Sequence, residues 1–199
     1  METGNEGLKD KPKVEGSKIE RWIVERARSG DARSQEVLLK HYEARVFDLI
    51  LRIVNNYEDA KDLLQDTFVK AIVNIRRYDT NYDFGRWLMC IAARTSFDFL
   101  RKKKRLRTVD LEVADHEEST LNPSFEPQLE SKINHEMIIR CIESLDPRYR
   151  AVLLLRYRDD LSYTEISQAL GVPVGSVKVL LHRAHQRLRE VIAKEVERC

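Results

Sequence analysis

The chain has 199 residues, 35 Lys and Arg against 33 Asp and Glu for a net charge of +2, and 42% hydrophobic residues. That content suffices for one or two small packed cores, and a 34% charged composition poor in glycine and proline favours an all-helical fold. No run approaches the roughly 20 apolar residues of a membrane span, the polar opening lacks a signal peptide's apolar stretch, and Cys90, Cys141 and Cys199 form neither a CxxC pair nor a disulfide framework.

These features predict a reduced, cytoplasmic protein with no cofactor, no metal and no direct membrane insertion. Residues 1–17 read as a flexible tail. A first helix is predicted from Lys18 to Ser29, ending at Gly30, and a second from Arg33 to Val54 with Val37, Leu38, Tyr42, Val46, Leu49, Ile50 and Ile53 on its buried side. Asn55 and Asn56 break it, and Asn56 with Asp59 is a capping signal for a third helix running from Tyr57 to Arg77. The polar, aromatic loop "RRYDTNYDFGR" leads to a fourth helix from Phe84 to Lys104 that buries Trp87, Leu88, Ile91 and Phe99. Residues 18–107 thus form one helical domain.

The sign of charge then alternates sharply. Arg101 to Arg107 is almost entirely basic, whereas Thr108 to Ser131 carries seven acidic residues, Pro123 and Pro127, and no Lys or Arg. With no sustained apolar period, residues 108–132 read as an acidic flexible linker. Helical patterning resumes at Ile133, giving a second domain over 133–199: one helix with Ile138, Cys141, Ile142 and Leu145, then another opened by Asp146-Pro147 and carrying Val152, Leu155 and Tyr157.

The stretch "EISQALGVPVGSVKVLLHRA", Glu165 to Ala184, places Gly171, Pro173 and Gly175 between two helical patterns. A helix ends near Leu170 and another starts near Val174, sharing a core across a tight turn. The second helix exposes Ser176, Lys178, His182, Arg183, Gln186, Arg187 and Arg189. A basic, hydrogen-bonding face after such a turn fits a DNA-binding helix-turn-helix, whose second helix reads base edges in the major groove. An ordinary helical hairpin has the same spacing.

Three motifs in order, "DAKDLLQDTF", "FGRWLMCIAARTSFDFLRKKKR" and the helix-turn-helix, resemble bacterial RNA polymerase sigma factors of the two-domain extracytoplasmic-function (ECF) type. The resemblance spans about Ile19 to Arg189. It implies an initiation factor rather than an enzyme, with core RNA polymerase (its β′ and β subunits), promoter DNA and an anti-sigma factor as partners. Matching positions imply that Asp59, Asp62, Leu63, Gln65 and Asp66 contact polymerase, although spacing alone gives only a solvated acidic face.

The loop and fourth helix match the part of the family that grips the melted minus-10 element. Tyr78, Asn81, Tyr82, Arg86, Arg94, Arg101 and Lys104 are the candidates there, since single strands are held by basic tracks and stacking faces. Trp87 reads as a core residue. Relatives often carry Asn at the position of Arg94 and a small residue or proline at that of Arg86. In the second domain Pro173, Val174, Gly175, Ser176, Lys178, Val179, His182 and Arg183 match the reader of the minus-35 duplex. A helix-turn-helix regulator acting without polymerase, or an adaptor that binds only proteins, would leave a similar composition.

Overall fold

The computed structural model describes residues 18–107 and 135–198; the tail and the acidic linker expected at 1–17 and 108–132 lie outside the described residues. Every element among the described residues is helical. Helix α1, Lys18–Arg28, stops where Ser29 folds its hydroxyl back to the Arg26 carbonyl and Gly30 takes a left-handed φ of +96°. Asp31 then caps α2, Ala32–Val54, by accepting from the backbone and hydroxyl of Ser34; those bonds hold its carboxyl below the usual carboxylate range.

Asn55, left-handed at φ 53°, closes α2, and the side chain of Asn56 accepts from the Asp59 amide at 2.9 Å to open α3, Tyr57–Asn74. A 3₁₀ turn, Ile75–Arg77, replaces the last turn expected of this helix. Asp83 caps α4, Phe84–Arg107, through a 2.8 Å bond from the Arg86 amide. Helices α1 to α4 pack around Val46, Leu49, Ile50, Ile53, Leu88 and Met89, all fully enclosed. Val37 departs from expectation: it is 48% exposed, because it faces Trp22 in an open groove between α1 and α2.

The second group comprises α5 (His135–Glu143), α6 (Pro147–Leu153), α7 (Tyr163–Leu170) and α8 (Val174–Arg198). Asp146 caps α6, with Pro147 in the first turn where its missing N–H is harmless. Leu154–Arg158 form a π turn, with the Asp159 amide bonded to the Leu154 carbonyl. The wider turn shifts the register. Tyr157 therefore points outward at 66% exposure, against the buried face its spacing suggested, and Asp159 turns inward to 2% exposure.

The groups meet directly, α2 against α6 and α4 against α7. Their apolar residues join one continuous cluster. Arg150 of α6 is buried in the joint and donates to the carbonyls of Glu143 and, at 3.3 Å, Ile53.

Candidate nucleic-acid interface

Helix α3 presents two faces. Asp62, Gln65 and Asp66 are exposed along one side, joined by the exposed Val69 and Val73 at helical spacing. Leu63, which the resemblance matches to a polymerase contact and whose spacing turns it inward, is buried: its position one residue beyond Asp62 turns it toward the core. Asp59 is partly engaged, bonded to Nζ of Lys103 on α4 at 2.7 Å. That pair ties the start of α3 to the basic end of α4.

The loop before α4 is ordered by its own polar groups. Asp79 accepts from the backbone and side chain of Asn81, and Tyr82 projects outward at 66% exposure. Tyr78 was expected at the surface beside it, but only 4% of it is accessible. Its ring stacks edge-on against Phe84, 5.4 Å between centroids, and lies 5.2 Å from Trp87, while its hydroxyl donates to the Tyr82 carbonyl. Three aromatic rings close together bury more apolar area than one stacked base would, so Tyr78 anchors the loop and leaves Tyr82 and Asn81 as its outer groups. Trp87 is half-buried in the same cluster, as read from its spacing.

Along α4, Arg94, Arg101 and Lys104 are exposed and Arg86 is partly so. Arg86 reaches Asp160 at 2.7 Å, and Arg101 donates to the Leu170 carbonyl at 3.1 Å. Between them the Cys90 thiol lies 3.7 Å from the Glu165 carbonyl, and burial beside the carboxylates of Glu165 and Asp159 pushes it up to about 12. A raised thiol carries little of the thiolate that nucleophilic chemistry needs.

The helix-turn-helix is built by capping. Ser162 and Glu165 bond reciprocally to each other's backbone amides at the start of α7, and Gly171, at φ +65°, ends it in the left-handed conformation. Val172 folds under, its carbonyl taking the Ser167 hydroxyl at 2.6 Å, and α8 begins at Val174. Val177, Leu181 and Ala184 are buried, which leaves Pro173, Val174, Gly175, Ser176 and Lys178 exposed at the tip. Val179, His182 and Arg183 are half-exposed one turn further along. A Cβ built at Gly175 would meet nothing within 4 Å.

The family model of sigma-70 region 2 matches residues 38–106, and that of sigma-70 region 4 matches residues 135–188. The Bacillus subtilis ECF RNA polymerase sigma factor SigW is 33% identical over 174 residues, covering 84% of this chain and 93% of its own. The chain belongs to the ECF RNA polymerase sigma factors. The ECF sigma-E factor of Salmonella typhimurium is 31% identical over 182 residues, covering 88% of this chain and 93% of its own. The fold is also that of two solved structures: the sigma factor RpoE of Bartonella quintana, in complex with the anti-sigma factor NepR (TM-score 0.55, 20% identity, 79% of this chain and 96% of that one), and CnrH, in complex with the cytosolic domain of CnrY (TM-score 0.57, 21% identity, 88% and 97%).

This sigma factor directs promoter-specific transcription initiation by core RNA polymerase. No helix among its described residues is long and apolar enough to cross a membrane. Sequence reasoning missed the acidic turn Asp159-Asp160 of this sigma factor, which meets Arg45 and Arg86 from the other group. The only signal was two adjacent carboxylates after a basic helix end, a pattern that reads as surface by default.

Proposed function

We propose that the two helical groups divide promoter recognition between them. In this reading the domain over 18–107 docks on core polymerase and holds the non-template strand of the minus-10 element; the domain over 133–199 reads the minus-35 duplex, with residues 108–132 connecting them. Asp62, Gln65 and Asp66 form the polymerase contact on the outer face of α3. Asn81 and Tyr82 meet unstacked bases, and Arg86, Arg94, Arg101 and Lys104 track phosphates. The exposed tip from Pro173 to Lys178, with Val179, His182 and Arg183, enters the major groove.

The observation that carries this reading is the tip of α8, exposed and capped on a rigid turn in the same chain as an acidic α3 face and a basic α4 track. The factor makes and breaks no covalent bond: opening a base step costs a few kcal/mol, within reach of strand capture. It works in the cytoplasm, where polymerase and promoter meet. Because RpoE and CnrH were solved in complex with NepR and with the cytosolic domain of CnrY, an anti-sigma factor is the regulator we assign to this chain as well.

Transcription in vitro from a library of promoter-like DNAs, with core polymerase and with or without the protein, tests the reading. Start sites that require the protein and vanish with Asp62→Lys and Gln65→Ala together are expected. Tight binding of one duplex by the free protein without any polymerase dependence would overturn it in favour of a stand-alone regulator.

A further inference from the structure

Helix α8 has a definite inner side, set by Val177, Leu181 and Ala184, which are enclosed against the core. Counting about 100° per residue from those three puts Gly175, Val179 and Gln186 on the outermost line of the helix, each within roughly 30° of straight outward. Ser176 and Arg183 lie to one side of that line, Lys178 and His182 to the other.

Val179 is the anomaly on this line. Leu180, Leu188 and Val191 of the same helix pack on the apolar cluster, whereas Val179 does not join it. A helix that needed only solubility would carry a polar group there, as α8 does at Gln186. Helical side chains lean toward the N-terminus over positions i−3 and i−4. The methyls of Val179 therefore lie over Gly175, which contributes no side chain and has open space around it, and beside Ser176. The outer line thus carries a small apolar knob flanked by hydrogen-bonding and basic groups.

In the major groove the base edges offer ring nitrogens, carbonyl oxygens and amino groups, all hydrated, and a single apolar group, the C5 methyl of thymine. A valine pressed against a polar edge strips its water and returns no hydrogen bond. Against the methyl the same contact is a gain.

We propose that Val179 reads a thymine of the minus-35 element through its C5 methyl, which makes it a specificity-determining residue of α8. The proposal rests on the assignment of α8 to the minus-35 duplex. Lys178 and the other flanking groups fix the register on the DNA, and Val179 adds a preference that depends on one methyl.

The test uses the whole factor bound to core polymerase and a promoter recovered in the transcription assay. Each thymine of its minus-35 element, on either strand, is replaced in turn by deoxyuridine, which deletes the methyl and keeps the base pair. Wild-type holoenzyme should lose about fourfold in affinity at one position, the worth of one buried methyl. Cytosine placed there should weaken binding, and 5-methylcytosine should recover about fourfold. With Val179→Ala the deoxyuridine and 5-methylcytosine effects should both vanish. The wild-type loss should be equal at about 50 and 200 mM salt, because a methyl contact releases no counterion. The scan and the 5-methylcytosine recovery need no variant, so they decide the matter even if Val179→Ala misfolds. A wild-type scan without a methyl-dependent position, or an equal methyl effect in folded Val179→Ala, would overturn the contact. Failure of the functional reading is distinct: no start site would then require the protein, and there would be no element to scan.

Discussion

The hydroxyl of Tyr157, turned outward by the π turn, lies 2.9 Å from Nε2 of His185, so α8 is braced against the π turn that follows α6 by a hydrogen bond. Burial, with Arg189 and His182 adding positive charge on the same helix, holds the His185 imidazole below its usual value. The unfolded chain therefore takes up a proton first, near pH 6.5. This contribution to stability is complete above that value and is lost as pH falls through it toward the lower folded pKa. Urea midpoints should accordingly drop less between about pH 7 and 5 for His185→Gln than for wild type.

Tyr78→Phe should cost about 1 kcal/mol, the loss of one hydrogen bond to Tyr82, while leaving affinity for a single-stranded minus-10 oligonucleotide unchanged in fluorescence titrations. Tyr82→Ala should do the reverse, weakening the strand by about 1–3 kcal/mol with little effect on stability. A Tyr78→Phe variant with wild-type stability and weakened strand binding would return Tyr78 to the interface.

Two substitutions probe the turn that aims α8. Ser162→Ala removes one half of the capping box and should destabilise by about 1 kcal/mol. Gly171→Ala puts a side chain at φ +65° and should cost a further ~1 kcal/mol, read from thermal or urea unfolding.

Arg150→Ala should be more damaging than any surface arginine change, at about 2–4 kcal/mol, since it opens a buried cavity and strips the Glu143 and Ile53 carbonyls of a donor. Chemical denaturation would show it as a lower midpoint, and a loss below about 0.5 kcal/mol would mean that water replaces the guanidinium without cost.

Lys178 is exposed near the tip of α8, and in the reading proposed above its ammonium meets a phosphate. Lys178→Ala should weaken minus-35 binding about equally across sequences and reduce the salt slope of log K by about one. A sequence-dependent loss would assign it to base readout instead.

The sequence was most legible where one residue type has one cause. Asn56, Asp146 and Gly171 mark caps whose chemistry is local, and the end of α7 and the start of α8 follow from it. It was least legible where a residue's neighbours come from far along the chain. Leu63 and Tyr78 matched functional positions, yet helix packing between α2, α3 and α4 draws both inside. The π turn adds a residue that no 3.6-residue periodicity anticipates, so both Tyr157 and Asp159 were assigned to the wrong environment or to none. Asp159 meets Arg45 across 114 positions, a pairing that a single chain's pattern does not contain.

The glycines at the second positions of α4 and α8 differ in what they permit. A Cβ at Gly85 would lie 2.9 Å from the ring of Tyr42, so any replacement there disturbs the core under α4. At Gly175 the surrounding space is empty, and most residues would raise helix propensity by up to about 1 kcal/mol. In the reading proposed above, promoter preference can change at position 175 without disturbing the core, whereas a side chain at position 85 must displace the ring of Tyr42.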